Sequence, residues 1–249
     1  MKTVLVTGAT GLIGREICKY LAIRNWDIVV ASQSYQKASE LCDSLYQYGN
    51  LVPSQMDLLD EVSLGLALDE MKSKGLNVTH LVNCARTTQT LSVDSNGVSP
   101  HDNLIKEIEL AVFAPYRLIN QLINSGFQLT SIVNISSQYS MVAPNPNLYP
   151  DGLASSSIGY GVAKAALNHL TRELAVRLSK HDIRVNAVAF GGFEGRANRD
   201  FIDKYSEMVP NGRMLSIKEA GGPVEFLLDN CSSSVNGHVL VADGGWTIV

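Results

Sequence analysis

Two residues with complementary acid–base chemistry, Tyr160 and Lys164, are four positions apart in a segment predicted as one helix over residues 159–180. In a helix this spacing puts both side chains on one face, with Cβ atoms roughly 5–6 Å apart. A free tyrosine has a pKa of about 10 and is a poor acid or base at neutral pH. A fixed positive charge beside it moves that pKa toward the working pH, so the pair is a candidate proton donor and acceptor. The alternative is a surface tyrosine and a surface lysine on an amphipathic helix, because the spacing alone is a loose pattern.

A glycine-rich turn near the start of the chain predicts a nucleotide site. The β-branched run at residues 3–7 is typical of a buried strand, and it leads into Gly8-Ala9-Thr10-Gly11-Leu12-Ile13-Gly14 and then a predicted helix to about Arg24. Strand, glycine turn and helix is the context that dinucleotide binding requires. Glycines let the backbone approach a pyrophosphate, and the helix N-terminus favours its charge. We therefore expect a dinucleotide here; the alternative is a plain turn.

The end of the second predicted strand, residues 27–31, bears on the choice of cofactor. An acidic residue at this point would bind the ribose 2′-hydroxyl of NAD. The chain reads Ala31-Ser32-Gln33-Ser34 instead, without an acid. Ser32 is placed to bond a 2′-phosphate and Lys37 to supply charge, which favours NADP over NAD. The alternative is that both are ordinary solvated residues at a helix start.

The rest of the chain repeats strand and helix, which predicts an α/β fold with a doubly wound parallel sheet. Ligands of such sheets bind beyond the carboxyl ends of the strands. The glycine turn, Asn83 and the Ser136-Ser137 pair all fall at such ends. Asp57-Leu58 ends the third strand, where Asp57 either contacts an adenine or caps the next helix. Further strands are predicted at 51–56, 78–84, 131–135 and 183–189 and within 237–245, and helices at 36–48, 61–74, 103–124, 198–207 and 217–229.

Composition narrows the class of protein. The chain has 249 residues, of which 45% are hydrophobic, and a formal net charge of −4. A core of useful size is therefore expected, whereas nucleic acid is disfavoured as a partner because there is no basic surplus. The sequence contains no internal repeat, low-complexity tract or linker, so we expect one domain over residues 1–249.

The cysteines and histidines show no metal or redox spacing. The four cysteines are expected to be reduced, in a cytoplasmic protein, and no metal is expected. The first apolar run is about five residues long, too short for a signal peptide or a membrane span, and no membrane is expected as a partner. The residues concerned are Cys18, Cys42, Cys84, Cys231, His80, His101, His169, His181 and His238.

Seven ordered blocks together resemble the short-chain dehydrogenase/reductase family. They are Thr7-Gly8 with its following glycines, Asp57, Asn83-x-Ala85, Val133-Asn134-Ile135-Ser136-Ser137, Tyr160-x-x-x-Lys164, Ile183-Arg184-Val185-Asn186-Ala187 and Asp243-Gly244-Gly245. Seven blocks in order are hard to reconcile with chance, which favours the catalytic interpretation of the Tyr/Lys pair over the surface one. The resemblance implies a Rossmann-type, three-layer αβα fold and hydride transfer with NADP or NAD.

The resemblance also implies roles for single residues. Tyr160 would exchange a proton with the reacting oxygen, Lys164 would lower the tyrosine pKa and hold the nicotinamide ribose, and a serine hydroxyl would orient the oxygen. Position in the family pattern favours Ser137 over Ser136 as that serine. The cofactor contacts it implies are Gly8, Thr10, Gly11, Leu12, Ile13, Gly14, Ser32, Asp57, Leu58, Asn83, Ala85, Tyr160, Lys164 and Phe193.

Three departures from the family pattern affect these expectations. Leu12 stands where simple members have a glycine, so the glycine spacing is closer to the extended, nucleotide-sugar-modifying branch, although length and the C-terminal Asp-Gly-Gly favour the simple branch. Arg86 puts a bulky cation where a glycine borders the cofactor. Ala111 falls where the family has a catalytic asparagine that supports a proton relay, which puts that relay in doubt.

Two segments, residues 138–158 and 191–213, are expected to shape the substrate pocket, since substrate contacts sit on loops over a rigid scaffold. The second is either a lid helix with solvated charges or a segment whose arginines meet an anionic or sugar-phosphate substrate. Both segments look similar to a subgroup from the biosynthesis of bacterial surface sugars and sialic-acid-like sugars. The residues of interest in the second segment are Phe193, Arg196, Arg199, Phe201, Tyr205, Met208 and Arg213.

Three functions therefore remain open for a small-molecule substrate. The first is an NAD(P)-dependent oxidoreductase acting on a sugar or sugar derivative. The second is an epimerase or dehydratase that keeps its cofactor bound, and the third is a non-catalytic nucleotide-binding protein. The resemblance also implies a homodimer or homotetramer formed through helices 103–124 and 159–180, where Phe113, Leu167 and Leu170 serve either the interface or the core.

Overall fold

A computed structural model describes residues 2–195 and 197–249. Within these residues the chain forms one seven-stranded sheet in which every neighbouring pair is parallel, in the order β3-β2-β1-β4-β5-β6-β7. The strands are β1 Thr3–Thr7, β2 Asp27–Ser32, β3 Leu51–Gln55, β4 His80–Asn83, β5 Ser131–Ser137, β6 Arg184–Phe190 and β7 Val239–Ala242. The order reverses between β1 and β4, which is the Rossmann arrangement, so the predicted doubly wound α/β fold is confirmed.

Helices connect these strands and cover both faces of the sheet. The helices are α1 Leu12–Ala22, α2 Tyr35–Leu45, α3 Glu61–Ser73, α4 His101–Ile108, α5 Ala114–Asn124, α6 Ile158–Leu178, α7 Arg199–Met208 and α8 Gly221–Leu228. Alternation along β1 shows why two layers form: Val4 and Val6 pack toward α1, α2 and α8, whereas Leu5 packs toward α3, α5 and α6. Successive strand residues face opposite sides, so each face needs its own helical layer.

The predicted long helix over 103–124 is present as one continuous helical stretch, but a π-helical segment, Glu109–Phe113, interrupts its α-helical geometry between α4 and α5. Pro115 accounts for the interruption: it has no N–H to donate to the carbonyl oxygen of Ala111, four residues earlier. The ladder shifts instead, and the N–H of Ala114 donates to the carbonyl oxygen of Glu109. Ala111, at the position of the missing asparagine, lies within this π segment.

The two expected substrate segments pack against each other. Leu148 from the first and Tyr205 from α7 belong to one small buried cluster that also contains Trp246, and Tyr149 meets Phe201 edge-on at 5.8 Å. The predicted lid helix is therefore α7, anchored by its apolar face. Arg196 lies outside the described residues.

Two further findings bear on sequence expectations. Leu167 is 1% exposed and buried, Leu170 is partly buried and packs against the core beside Leu174, and Phe113 is 51% exposed. Of these three side chains, only that of Phe113 is mostly exposed.

In residues 2–195 and 197–249, no helix has both the length and the apolar character needed to cross a membrane.

Candidate active site

A cleft of about 770 Å³ opens beyond the carboxyl ends of the strands, where the strand order reverses. The glycine turn after β1, the ends of β2, β3 and β4, the end of β5 and the start of α6 all line it. This is where ligands bind in open parallel sheets, because the loops that follow neighbouring strands diverge there.

Helix α6 delivers Tyr160 and Lys164 to this cleft. Tyr160 is half-buried, whereas Lys164 is 6% exposed and its Nζ donates a hydrogen bond to the carbonyl oxygen of Ile135 over 2.7 Å. Gly161 between them allows a close approach, since a Cβ there would lie 3.0 Å from the carbonyl oxygen of Tyr139. The spacing argument for one shared helical face thus agrees with the geometry.

The electrostatic setting of Lys164 is unusual for a lysine. Burial first, and then the nearby positive charge of Arg86, lower its pKa from 10.5 to about 8. The charges of Cys84 and Glu107 act in the opposite sense. Burial favours the neutral amine because the ammonium loses its hydration. Lys164 is therefore poised to gain or lose a proton near neutral pH.

The two serines at the end of β5 are both buried and both line the cleft, but they differ in their hydrogen bonds. The hydroxyl of Ser136 donates to the carbonyl oxygen of Lys164 at 3.5 Å. The hydroxyl of Ser137 instead accepts from the N–H of Tyr139 at 3.2 Å. A hydroxyl has one hydrogen to donate, so Ser137 keeps its hydrogen for a ligand while Ser136 directs its own to the backbone.

The glycine turn is packed so tightly that side chains are excluded at two positions. Gly8 has a φ of +61°, and a Cβ there would lie 2.5 Å from the Cα of Ala85 at the end of β4. A Cβ at Gly14 would lie 2.3 Å from the carbonyl oxygen of Gly8. The turn therefore brings its backbone close to both β4 and the start of α1, as a dinucleotide cradle requires.

The first turn of α1 supplies the donor set for an anion. Helix α1 follows Gly11 without a side-chain cap and without an acidic residue in its first turn, and Thr10, Leu12 and Ile13 line the cleft. Free N–H groups at a helix start favour a pyrophosphate, so these residues fit the cofactor. Among described residues other than glycine, a positive φ occurs only at Asn25 and Asp182, so Leu12 needs no glycine-like backbone.

The ends of β2 and β3 form the expected adenosine side of the cleft. The hydroxyl of Ser32 lies 3.1 Å from that of Thr10 and accepts from the N–H of Ser34. Asp57 accepts from the N–H of Leu59 at 3.0 Å and does not cap α3, a role that Asp60 takes by accepting from Val62 and Ser63. The capping alternative for Asp57 is therefore wrong. Leu58 and the exposed Lys37 line the same part of the cleft.

All but one of the expected site residues line the cleft. The exception is Asn83, which is buried and whose side-chain amide donates to Asn134 Oδ1 at 2.8 Å, joining β4 to β5. Its side chain points into the sheet's interior because the neighbouring strand offers an acceptor there. Those that line the cleft are Gly8, Thr10, Gly11, Leu12, Ile13, Gly14, Ser32, Asp57, Leu58, Ala85, Ser137, Tyr160, Lys164 and Phe193.

The cleft also contains residues that sequence reasoning missed as site residues. Lys106 and Leu110 are four apart on one face of the α4 region, so helical spacing was a usable signal. Arg86 was recognised only as a departure, yet its guanidinium carbon lies 4.0 Å from the centroid of the Tyr160 ring. Other missed lining residues are Thr87, Thr88, Gln89 and Phe190, whereas Gln138, Tyr139, Tyr149, Gly191 and Gly192 lie in the two segments expected to shape the substrate pocket.

Two of the lid arginines named as candidates for an anion, Arg199 and Arg213, are engaged elsewhere. Arg199 pairs with Asp203 within α7, and Arg213 forms a two-pronged pair with Glu219. Neither lines the cleft. Their charges are thus matched by carboxylates on the surface, which agrees with the solvated-charge interpretation of this segment.

Comparison with known proteins agrees with the fold. A family model described as enoyl-(acyl carrier protein) reductase matches residues 8–247. The chain is 30% identical to carbonyl reductase family member 4 of Xenopus laevis, covering 98% of this chain and 97% of that protein. It is 28% identical to post-translational flagellin modification protein A of Campylobacter coli, covering 98% of both.

A solved short-chain dehydrogenase from Leptospira borgpetersenii with bound NAD⁺ superposes with a TM-score of 0.82 at 23% identity, over 99% of this chain and 92% of that one. At that identity the likeness concerns the fold. Together with the sequence matches it places the chain in a class of Rossmann-fold oxidoreductases that use NAD(P). The chain belongs to the short-chain dehydrogenase/reductase family.

Proposed function

We propose that this protein interconverts a carbonyl and a secondary alcohol, with Ser137, Tyr160 and Lys164 acting on the substrate's oxygen. The observation that carries the proposal is that these three side chains line the same cleft as the glycine turn and the uncapped start of α1. NADP or NAD, when bound, supplies or takes up the hydride. The residues of the chain then have to transfer one proton and stabilise the negative charge that develops on the substrate's oxygen.

Tyr160 is proposed to exchange that proton. Its phenol lines the cleft, and the residue is half-buried, so it reaches both ligand and solvent. In the reductive direction it gives a proton to the oxygen that becomes negative, and in the oxidative direction it removes one. Lys164 stands one helical turn away on the same helix and lines the same cleft.

Ser137 is proposed to orient the substrate's oxygen. Its hydroxyl hydrogen is free while its oxygen is held by the N–H of Tyr139. A donor fixed in this way is aimed at the place where charge develops, which stabilises the transition state more than the ground state. Lys164, fixed by one bond to Ile135, has two further N–H groups for the proposed contact with the cofactor ribose.

NADP is the proposed cofactor, ahead of NAD. The end of β2 offers the hydroxyl of Ser32 and the exposed ammonium of Lys37 and carries no acid that would repel a 2′-phosphate. A 2′-phosphate adds negative charge, which a lysine favours and a carboxylate opposes.

A sugar or sugar derivative used in a surface glycan is the proposed substrate. The cleft has tyrosines at 139, 149 and 205 and Phe201 on the side away from the adenosine site, and such rings pack well on sugar faces. The name of the Campylobacter coli relative refers to flagellin modification, which is in line with this class. A cytoplasmic location, one domain and a homodimer or homotetramer stay predictions from the sequence.

The test is turnover of a panel of sugars, nucleotide sugars and simple ketones with NADPH or NADP, comparing wild type with Tyr160→Phe. We expect at least one sugar to be turned over and the variant to lose about 10²–10⁴-fold in kcat while still binding NADPH. Turnover of acyl-thioester ketones alone would overturn the substrate class. Unchanged turnover in Tyr160→Phe would overturn the catalytic role and favour the non-catalytic alternative for this site.

An epimerase or dehydratase that retains its cofactor is the second candidate. The observation that favours it is the Gly8-x-x-Gly11-x-x-Gly14 spacing, which differs from that of simple family members. NADP(H) that copurifies with the protein and does not exchange with added cofactor would support this candidate. Free exchange would support the oxidoreductase proposal instead.

A further inference from the structure

The charges that line the cleft are unevenly distributed. Asp57 is the one carboxylate among the described lining residues, and it lies at the end of β3 on the expected adenosine side. Around Tyr160 the charged lining residues are Arg86, Lys106 and Lys164, all basic. The buried Glu107 behind this lining offsets part of the positive charge on Lys164. The cations that reach the cavity surface are all basic side chains, and low-dielectric walls concentrate their field, so this surface attracts negative charge.

Arg86 is the most specific element of this half. Its guanidinium lies over the ring of Tyr160, 4.0 Å from the centroid, and the residue remains exposed to the cleft. In the part of the chain that the structure describes, it forms no ion pair. Stacking on the ring orients the guanidinium plane but leaves its N–H groups free for a ligand.

Lys106 adds a second cation from another element. It is exposed on α4 and lines the cleft, and Leu110, four residues later, lines it too, so this face of the α4 region looks into the cavity. No ion pair of Lys106 occurs within the described ranges 2–195 and 197–249. Two cations from separate elements, unpaired within the described residues, line one cavity that also has aromatic walls, and together they make a site for an anion carried by an organic molecule.

Arg86 also acts on the catalytic machinery. Its charge favours the neutral form of Lys164, which opposes the role that an ammonium has there. An anion bound to Arg86 offsets that charge and so favours the ammonium form of Lys164 when the anion is present. The ammonium form of Lys164 is thus favoured more by a negatively charged substrate than by a neutral substrate.

We propose that Arg86, together with Lys106, binds a carboxylate or phosphate group of the substrate, so that the preferred substrate is an acidic sugar or a sugar phosphate. This inference rests on the proposed function, because it places the substrate's carbonyl or alcohol at Tyr160. The guanidinium gives a two-pronged bond to either anion, and the lysine adds charge. The neighbouring aromatic residues Tyr149 and Phe201 contact the carbon skeleton.

The experiment is calorimetric titration of the NADPH-loaded protein with matched probes. The carboxylate arm compares D-glucuronate with D-glucose and N-acetylneuraminate with its methyl ester, and the phosphate arm compares D-glucose 6-phosphate with D-glucose. We expect at least one anion to bind about tenfold or more tightly than its neutral partner. The arm in which this happens identifies the anion.

Three variants assign the effect to residues. Arg86→Gln is expected to weaken binding of the anionic probe about tenfold without affecting binding of its neutral partner. Arg86→Lys is expected to retain part of the preference for the anionic probe, because lysine keeps the positive charge but cannot form the two-pronged hydrogen bond of a guanidinium. Lys106→Gln is expected to have a smaller effect in the same direction. Arg199→Gln is the matched control, since that arginine is paired with Asp203 and lies outside the cleft.

The inference is wrong if the wild type binds NADPH but no anion binds more tightly than its neutral partner. It is also wrong if Arg199→Gln loses as much preference as Arg86→Gln. Failure of the wild type to bind either NADPH or NADH is a different result, because it contradicts the proposed function itself and this site with it.

Discussion

The ammonium group of Lys164 donates a hydrogen bond to the backbone carbonyl oxygen of Ile135 across 2.7 Å. This bond joins α6 to β5 two residues before Ser137, so the helix that carries Tyr160 and the strand that carries the serine are held in one arrangement. A charge-assisted bond of this kind, with the lysine almost fully buried, is stronger than a surface contact. The same burial makes the lysine sensitive to pH.

That sensitivity predicts a pH-dependent stability. Burial lowers the pKa of Lys164 from 10.5 to about 8, so the folded protein binds this proton more weakly than the unfolded chain. The penalty is fully present below pH 8 and disappears as the pH rises to about 10.5, so the free energy of unfolding gains about 3 kcal/mol from this group over that range. Urea denaturation at several pH values should show the gain in wild type and not in Lys164→Met.

The exposed Lys180→Met variant is the control for this prediction, because it removes a lysine without touching the buried site. Its pH dependence should follow that of wild type. If Lys164→Met also follows wild type, the lysine is not in the low-pKa state that its burial indicates.

A second prediction concerns the link between the two substrate segments. Tyr205 donates its hydroxyl hydrogen to Gln138 Oε1 at 2.8 Å and accepts from the N–H of Gly192 at 3.0 Å. Tyr205→Phe leaves the buried Gln138 without a donor, which should lower the free energy of unfolding by about 1–3 kcal/mol. Tyr46→Phe, whose ring is 78% exposed, should leave it unchanged, and equal effects in the two variants would show that the link contributes nothing.

A third prediction uses two helical glycines with opposite surroundings. Gly14→Ala puts a Cβ 2.3 Å from the carbonyl oxygen of Gly8 and should destabilise the fold by about 1–3 kcal/mol, because backbone has to move. Gly65→Ala, with nothing within 4 Å of the new Cβ, should stabilise it by about 0.5–1 kcal/mol. Thermal denaturation of both variants tests these two stability changes. A Gly14→Ala protein as stable as wild type would show that the glycine turn has room for a Cβ at this position.

A fourth prediction concerns cofactor choice. Lys37→Ala should raise the Kd for NADPH by up to about fivefold, the effect expected for one exposed charge pair, and leave the Kd for NADH unchanged. Fluorescence titration of both cofactors measures this. Equal changes for the two would mean that Lys37 does not meet a 2′-phosphate.

Local sequence patterns predicted the strands and helices well. The directions in which individual side chains point could not be predicted from them. The β-branched run at Thr3–Thr7 predicted β1 with its observed bounds, because a short run of this kind is typical of a fully buried strand. That Asn83 turns into the sheet to bond Asn134 depends on a neighbouring strand that lies 51 residues away. The stacking of Arg86 on Tyr160 likewise depends on how β4 and α6 are juxtaposed, so the sequence revealed only an unusual residue there.

The most direct test of the central claim, that this cleft binds a nicotinamide dinucleotide beside Tyr160, is a fluorescence titration with NADPH and NADH. Wild type should be measured beside Leu12→Gly and Arg86→Gly. We expect wild type to bind at least one cofactor tightly and Leu12→Gly to bind no better, because Leu12 already has a helical backbone. No binding of either cofactor by wild type, restored by the glycine variants, would show that the cleft is closed to the cofactor and would contradict the claim.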